Sequence, residues 1–107
     1  MAWLVLLIAG LFEIAWAIGL AYSDGLSKPI PAVATVLALA ISMLLLAKAT
    51  QTIPIGTAYA VWTGIGAVGT ALLGIALFDE PATVARLLFV SLIVVGIVGL
   101  HLVSPTH

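Results

Sequence analysis

Residues Trp3 to Tyr22 read WLVLLIAGLFEIAWAIGLAY. About 20 consecutive apolar residues as helix are what it takes to cross the hydrocarbon core of a bilayer. This run has that length and carries one charge, Glu13. A secretory leader would begin with Lys or Arg and place a short apolar core before a small-residue cleavage site. Nothing basic precedes Tyr22 and a carboxyl stands mid-run, so the segment is expected to remain as a span of the mature protein. Outward from it, three more stretches have the same character: Pro31 to Ala49, Pro54 to Phe78 and Thr83 to Val103.

The expected fold is therefore an all-α membrane protein, with four transmembrane helices at about 3–22, 31–49, 54–78 and 83–103 forming one domain over 1–107. The connectors are Ser23–Ile30 (SDGLSKPI), Thr50–Ile53 (TQTI) and Asp79–Ala82 (DEPA). Asp24-Gly25 reads as a turn, and Pro29, Pro54 and Pro81 as helix starts, the last two as first-turn prolines. Connectors this short make successive helices antiparallel and leave no soluble part large enough for separate chemistry.

Composition agrees. The chain is 64% hydrophobic and 7% charged, with mean hydropathy +1.40, whereas soluble domains carry about a quarter charged residues. With no cysteine, disulfides and thiolate metal sites are excluded. Three basic residues, Lys28, Lys48 and Arg86, make no patch for nucleic acid. His101 and His107 have no partner spacing for a metal, and no cofactor is implied. Lys28 and Arg86 fall on one side of the membrane, Lys48 and the terminal amine on the other. Lys and Arg in short loops set orientation, and here they nearly balance. Either other features orient the chain, or copies insert both ways and pair.

Glu13 lies ten residues past Trp3, about 15 Å into a core about 30 Å thick. A carboxylate at that depth costs on the order of 3 kcal/mol, and such residues mark ion or proton pathways by default. No basic residue of the chain shares its depth. Low dielectric disfavours a bare charge, so a proton or a cation must neutralise it. Those occupants exclude each other, which is the minimal physics of antiport.

Helical periodicity gathers Leu6, Ala9, Gly10, Glu13, Trp16, Ala17 and Leu20 on one face of the first helix. The second aligns Thr35, Ala38, Ser42 and Ala49; the third aligns Tyr59, Trp62, Thr63, Gly66, Gly69 and Thr70. Converging on Glu13, these stripes make a polar, aromatic-walled pocket. Ring faces attract cations, and a planar cation with several N–H donors suits a carboxylate. For Ser42 the competing role is a bond to its own helix backbone; for Trp16 and Trp62 it is packing. Trp3 and Tyr22 read as interfacial belt residues. Gly64, Gly66, Gly69 and Gly74 permit either close helix packing or a hinge. Leu92, Gly96, Gly99 and Val103 share a face of the fourth helix suited to a dimer seam. Asp79 and Glu80 are expected to be solvated, and Arg86 to snorkel or guard an entrance.

GLFEIAWAIGL (Gly10–Leu20), PIGTAYAVWTGIGAVGT (Pro54–Thr70) and GIVGL (Gly96–Leu100) resemble the small multidrug resistance family over essentially the whole chain. Glu13-x-x-Trp16, Ser42 and AYAVWTGIGA resemble its guanidinium-exporter subtype. The resemblance implies a non-enzymatic, proton-coupled antiporter of the bacterial inner membrane, exporting guanidinium and small guanidinyl cations by alternating access. The alternative is a broader multidrug exporter that also carries quaternary ammonium cations. It further implies an antiparallel, dual-topology homodimer in membrane lipid, with Glu13 of both copies binding substrate or protons. Trp16, Ser42, Tyr59, Trp62 and Thr63 would orient the carboxylate and shape the pocket, and Gly10 would let it form. Gly64 and Gly66 would permit a bend, and Leu92, Gly96 and Gly99 would form the seam. The family often has Lys where Ala21 and His101 stand here; these positions face opposite sides, so their loss keeps the charge balance near zero.

Overall fold

Helix starts follow from where proline and turn chemistry remove backbone donors. The computed structural model describes residues 1–103 and is all-helical: α1 (Ala2–Tyr22), α2 (Pro29–Ala49), α3 (Ile55–Phe78) and α4 (Val84–Val103). His107 lies outside the described residues. Each helix has 20 to 24 residues, about 30–36 Å at 1.5 Å per residue, and so is long enough to cross the core.

The prolines act one at a time: Pro29 is a helix start as expected, and Pro54 and Pro81 are not the first-turn residues expected. Pro29, not Pro31, is the first residue of α2, where its missing N–H costs nothing. Pro54 is the N-cap of α3, extended at ψ 140, not a first-turn residue. Pro81 stands three residues before α4 begins at Val84. The α1–α2 turn is held by Ser23, which is fully buried. Its hydroxyl donates to the Leu20 carbonyl at 2.9 Å and accepts the Leu26 N–H at 3.0 Å. Asp24 and Gly25 take positive φ as turn residues do. Leu26 joins them at φ 71, an unusual conformation for a bulky side chain.

α1 lies between α2 and α3, and α4 packs on α3, giving a slab of 42 × 34 × 17 Å. The two rims can be told apart by aromatic contacts. Trp3 meets His101 edge-on at 4.6 Å between ring centroids, where α1 begins and α4 ends. Tyr22 meets Phe78 at 5.2 Å, where α1 and α3 end.

Burial is concentrated toward the Trp3 rim. Leu6 and Ala9 of α1, Leu46 and Ala49 of α2, and Ala58, Val61 and Trp62 of α3 form the core. Ile53, from the α2–α3 connector, seals it and is fully buried. α4 buries none of its residues. An added Cβ at Gly96 or Gly99 would meet no atom of the same chain within 4 Å.

Candidate functional site

Glu13 sits at the middle of α1, where the core gives way to a looser half. Its carboxylate accepts a hydrogen bond from the Trp16 indole N–H, one turn away on the same face. The i, i+3 spacing places this contact within reach of any regular helix. Across the seam α3 presents Gly66, and a Cβ there would overlap Glu13 Cγ. Gly69 gives the same room to Ile14, and Gly10 of α1 gives it to Ile65 of α3. Glycine at these three points brings the backbones of α1 and α3 close enough to hold the carboxyl between them. Gly64 faces the other way, toward Ile97 and Ile93 of α4. The glycines of α3 thus serve two packing interfaces.

A second polar unit lies beside the first. Trp62 Nε1 donates to Ser42 Oγ at 2.8 Å, and Ser42 Oγ donates to the Ala9 carbonyl at 2.7 Å. Both side chains are buried. The chain α3–α2–α1 therefore ends on a carbonyl one turn before Glu13. The competing role for Ser42, a bond to its own helix backbone, does not hold: its acceptor is on α1. Its hydroxyl is engaged with Trp62 and Ala9 rather than with Glu13. Interhelical hydrogen bonds in membranes average about 0.6 kcal/mol and reach about 1.7 in double-mutant cycles. A cycle of Ser42→Ala and Trp62→Phe, read by unfolding in detergent or bicelles, is expected to return a coupling of that size, about 1 kcal/mol. Purely additive losses would show that the relay does not bind the helices together.

The remaining candidates divide by face. The α3 stripe is roughly 120° wide, and its border with Trp62, Gly66 and Gly69 is the one turned to α1. Tyr59 is 56% exposed, with its ring 5.5 Å from that of Trp62 and tilted 54°. Thr63 is exposed and is not brought to Glu13 in one copy. Leu92 is exposed on α4. Among the described residues, no three His, Cys, Asp or Glu side chains gather as metal ligands.

Two features escaped the sequence reading. Glu80 is exposed, as expected for a solvated residue, but it also pairs with Arg86, Nη2 to Oε1 at 2.6 Å. Its carboxyl lies over Gly74, where a Cβ would collide with it. Asp79, in the left-handed region at φ 56, turns the chain back at the end of α3, and the Glu80 N–H returns to the Gly74 carbonyl. The second feature is Thr70, whose buried Oγ1 has no hydrogen-bond partner among the described residues. Gly74, a glycine one turn before a helix end, is the sequence hint for the Glu80 contact, whereas Thr70 is already on the α3 stripe and only its lack of a partner was not legible.

Residues 1–93 match the family model described as Small Multidrug Resistance protein. The chain belongs to the small multidrug resistance family. Curated relatives within it include the guanidinium exporter of Yersinia pestis, 59% identical over 104 residues, covering 97% of this chain and 100% of the relative. The guanidinium exporter of Citrobacter freundii is 56% identical over 107 residues, with both chains covered in full. That of Salmonella typhimurium strain LT2 is 57% identical over 102 residues, covering 95% of this chain and 97% of the relative. With four helices apolar and long enough to span, this family member is a multi-pass membrane protein.

Proposed function

We propose that this chain is a proton-coupled antiporter exporting guanidinium and small guanidinyl cations across the bacterial inner membrane. The observation that carries the reading is Glu13. A carboxylate is held mid-helix by the Trp16 indole, over a glycine that leaves it room. The names of relatives 56–59% identical over nearly the full chain support the choice of cargo.

The cycle follows from charge. A bare carboxylate at this depth is costly, so the site exchanges one neutraliser for another and is not left empty. A guanidinium offers planar, forked N–H donors that match a carboxylate, and the ring face of Trp62 or Tyr59 supplies cation–π attraction. A proton arriving from outside displaces the cation there; the protonated site returns inward and releases its proton to the inner water as the next cation binds the carboxylate.

The working unit in this reading is an antiparallel, dual-topology homodimer with alternating access. One copy leaves Tyr59 and Thr63 exposed beside the site and the Leu92, Gly96 and Gly99 face of α4 uncovered. A second copy would cover the seam and bring a second Glu13. Gly10 and Gly66 then allow the carboxyl its place, while Gly64 and Gly66 lie where α3 would bend. Trp16 orients the carboxylate directly; Ser42 and Trp62 hold the α1 backbone beneath it.

The test is flux in proteoliposomes. A pH gradient is expected to drive guanidinium uphill, and an ionophore that collapses the gradient should stop it. Lower pH on the loading side should raise the guanidinium concentration needed for half-maximal flux, because proton and cation compete. Flux indifferent to the gradient would refute the coupling. A quaternary ammonium compound run alongside separates the narrow cargo from the broader one: competition with guanidinium, and transport in its own right, would favour the broader exporter.

A further inference from the structure

The seam between α1 and α3 continues past Glu13 toward the Tyr22 rim. Within the next turn of both helices, a cavity of about 330 Å³ is lined by Ala17, Ala67 and Thr70, with Glu80 and Arg86 at its watery end. Ala17 follows Glu13 by four residues, and Ala67 follows the Gly66 that packs on Glu13. The cavity thus begins roughly 6 Å from the carboxylate's own turn, at 1.5 Å per residue.

Its polar groups form a set. The left-handed Asp79 and the bare backbone at Gly74 fold Glu80 back over the end of α3. Thr70 Oγ1 is buried, with no hydrogen-bond partner among the described residues. Arg86 reaches Glu80 by a single contact, Nη2 to Oε1, with the two side chains 33% and 43% exposed. Such exposed pairs are weak and open readily. Arg86 itself ends in a guanidinium, so Glu80 already holds the chemical group that the proposed cargo carries. A free guanidinium can use two parallel donors on one carboxylate and still offer donors elsewhere, for which a threonine oxygen is an acceptor.

We propose that this cavity is a staging site for the guanidinyl cation between water and Glu13. The incoming cation displaces Arg86 from Glu80, and Thr70 accepts one of its remaining N–H donors. This rests on the guanidinium reading given above. Arg86 acts as a tethered competitor, vacating the carboxylate when cargo arrives.

Opposite signs make the site testable. Initial rates of guanidinium flux are measured against concentration in proteoliposomes holding the full chain, alongside wild type and Glu13→Gln. Glu80→Gln is expected to raise KM roughly threefold to tenfold with maximal rate kept, the scale of one partly exposed charge-assisted pair. Arg86→Ala is expected to lower KM, because the competitor is gone. Arg86→Lys, which keeps the charge but loses the planar fork, should lower it less and serves if the alanine variant does not insert. Asp79→Asn, beside Glu80 and tolerant of the left-handed backbone, is the control for general electrostatic attraction and should leave KM unchanged. A KM that moves the same way in Glu80→Gln and Arg86→Ala, or not at all, overturns the staging site. So does an Asp79→Asn effect equal to that of Glu80→Gln. Wild-type flux that persists unchanged in Glu13→Gln would instead sink the underlying reading of Glu13.

Discussion

Glu13→Gln is expected to abolish proton-driven guanidinium flux while leaving the chain folded and inserted. The amide keeps the shape of the carboxyl, and its oxygen can still accept the Trp16 indole N–H that the carboxylate accepts now. What disappears is the charge. Two unit charges about 4 Å apart at an effective dielectric of about 20 attract by about 4 kcal/mol, close to a thousandfold in occupancy. The variant also has no group on which a proton could compete, so residual binding should be independent of pH. Removing a buried charge is neutral or stabilising when packing is kept; thermal unfolding in detergent should therefore show no loss. The measurements are proteoliposome flux and guanidinium titration across pH. A variant that still transports against a proton gradient would remove Glu13 from the mechanism.

The ease with which Glu13 can be read, and the difficulty of reading its surroundings, have physical causes. A membrane imposes a length, so four runs such as Trp3–Tyr22 declare themselves, and helix limits fell within two residues of those observed. A charge in such a run stands out because hydrocarbon penalises it. Trp16 was legible too, because i, i+3 neighbours share a face in any helix. Partners between helices were not. Periodicity placed Ser42 and Trp62 on inward stripes, but Ser42 could equally have bonded its own backbone; only the packing of α2 on α1 selects the Ala9 carbonyl. Thr63 occupies the same stripe as Trp62 and is exposed, because the stripe is wider than the contact. Ile53 was assigned to a connector and is wholly buried, since a tight turn tucked beneath a core exposes little. Glu80 paired with Arg86 across an irregular stretch that has no periodicity to read.

The glycines show the same limit from the other side, and they supply the second large effect. Their abundance in α3 allowed either packing or bending. The geometry now assigns Gly66 a specific duty in packing, because a Cβ there would overlap Glu13 Cγ and crowd its carboxyl. Cγ lies near the root of the side chain, so the clash cannot be relieved by swinging a distant tip. Either Glu13 changes its first torsion and leaves the Trp16 N–H, or α1 and α3 separate and loosen the contacts of Gly69 with Ile14 and Gly10 with Ile65. Forcing an extra carbon into a filled interface costs about 1–3 kcal/mol, which corresponds to roughly fivefold to 150-fold in an equilibrium. Gly66→Ala is accordingly expected to weaken guanidinium transport by roughly fivefold to 150-fold on the scale of that conversion, despite alanine's better helix propensity. Gly56→Ala is the matched control. It is in the same helix, a Cβ there meets no atom within 4 Å, and transport should be unchanged. Indole fluorescence of the guanidinium-free protein should shift in Gly66→Ala as the Trp16 bond is lost, and not in Gly56→Ala. If Gly66→Ala transports like wild type, then Glu13 does not work from the position in which α1 and α3 hold it here.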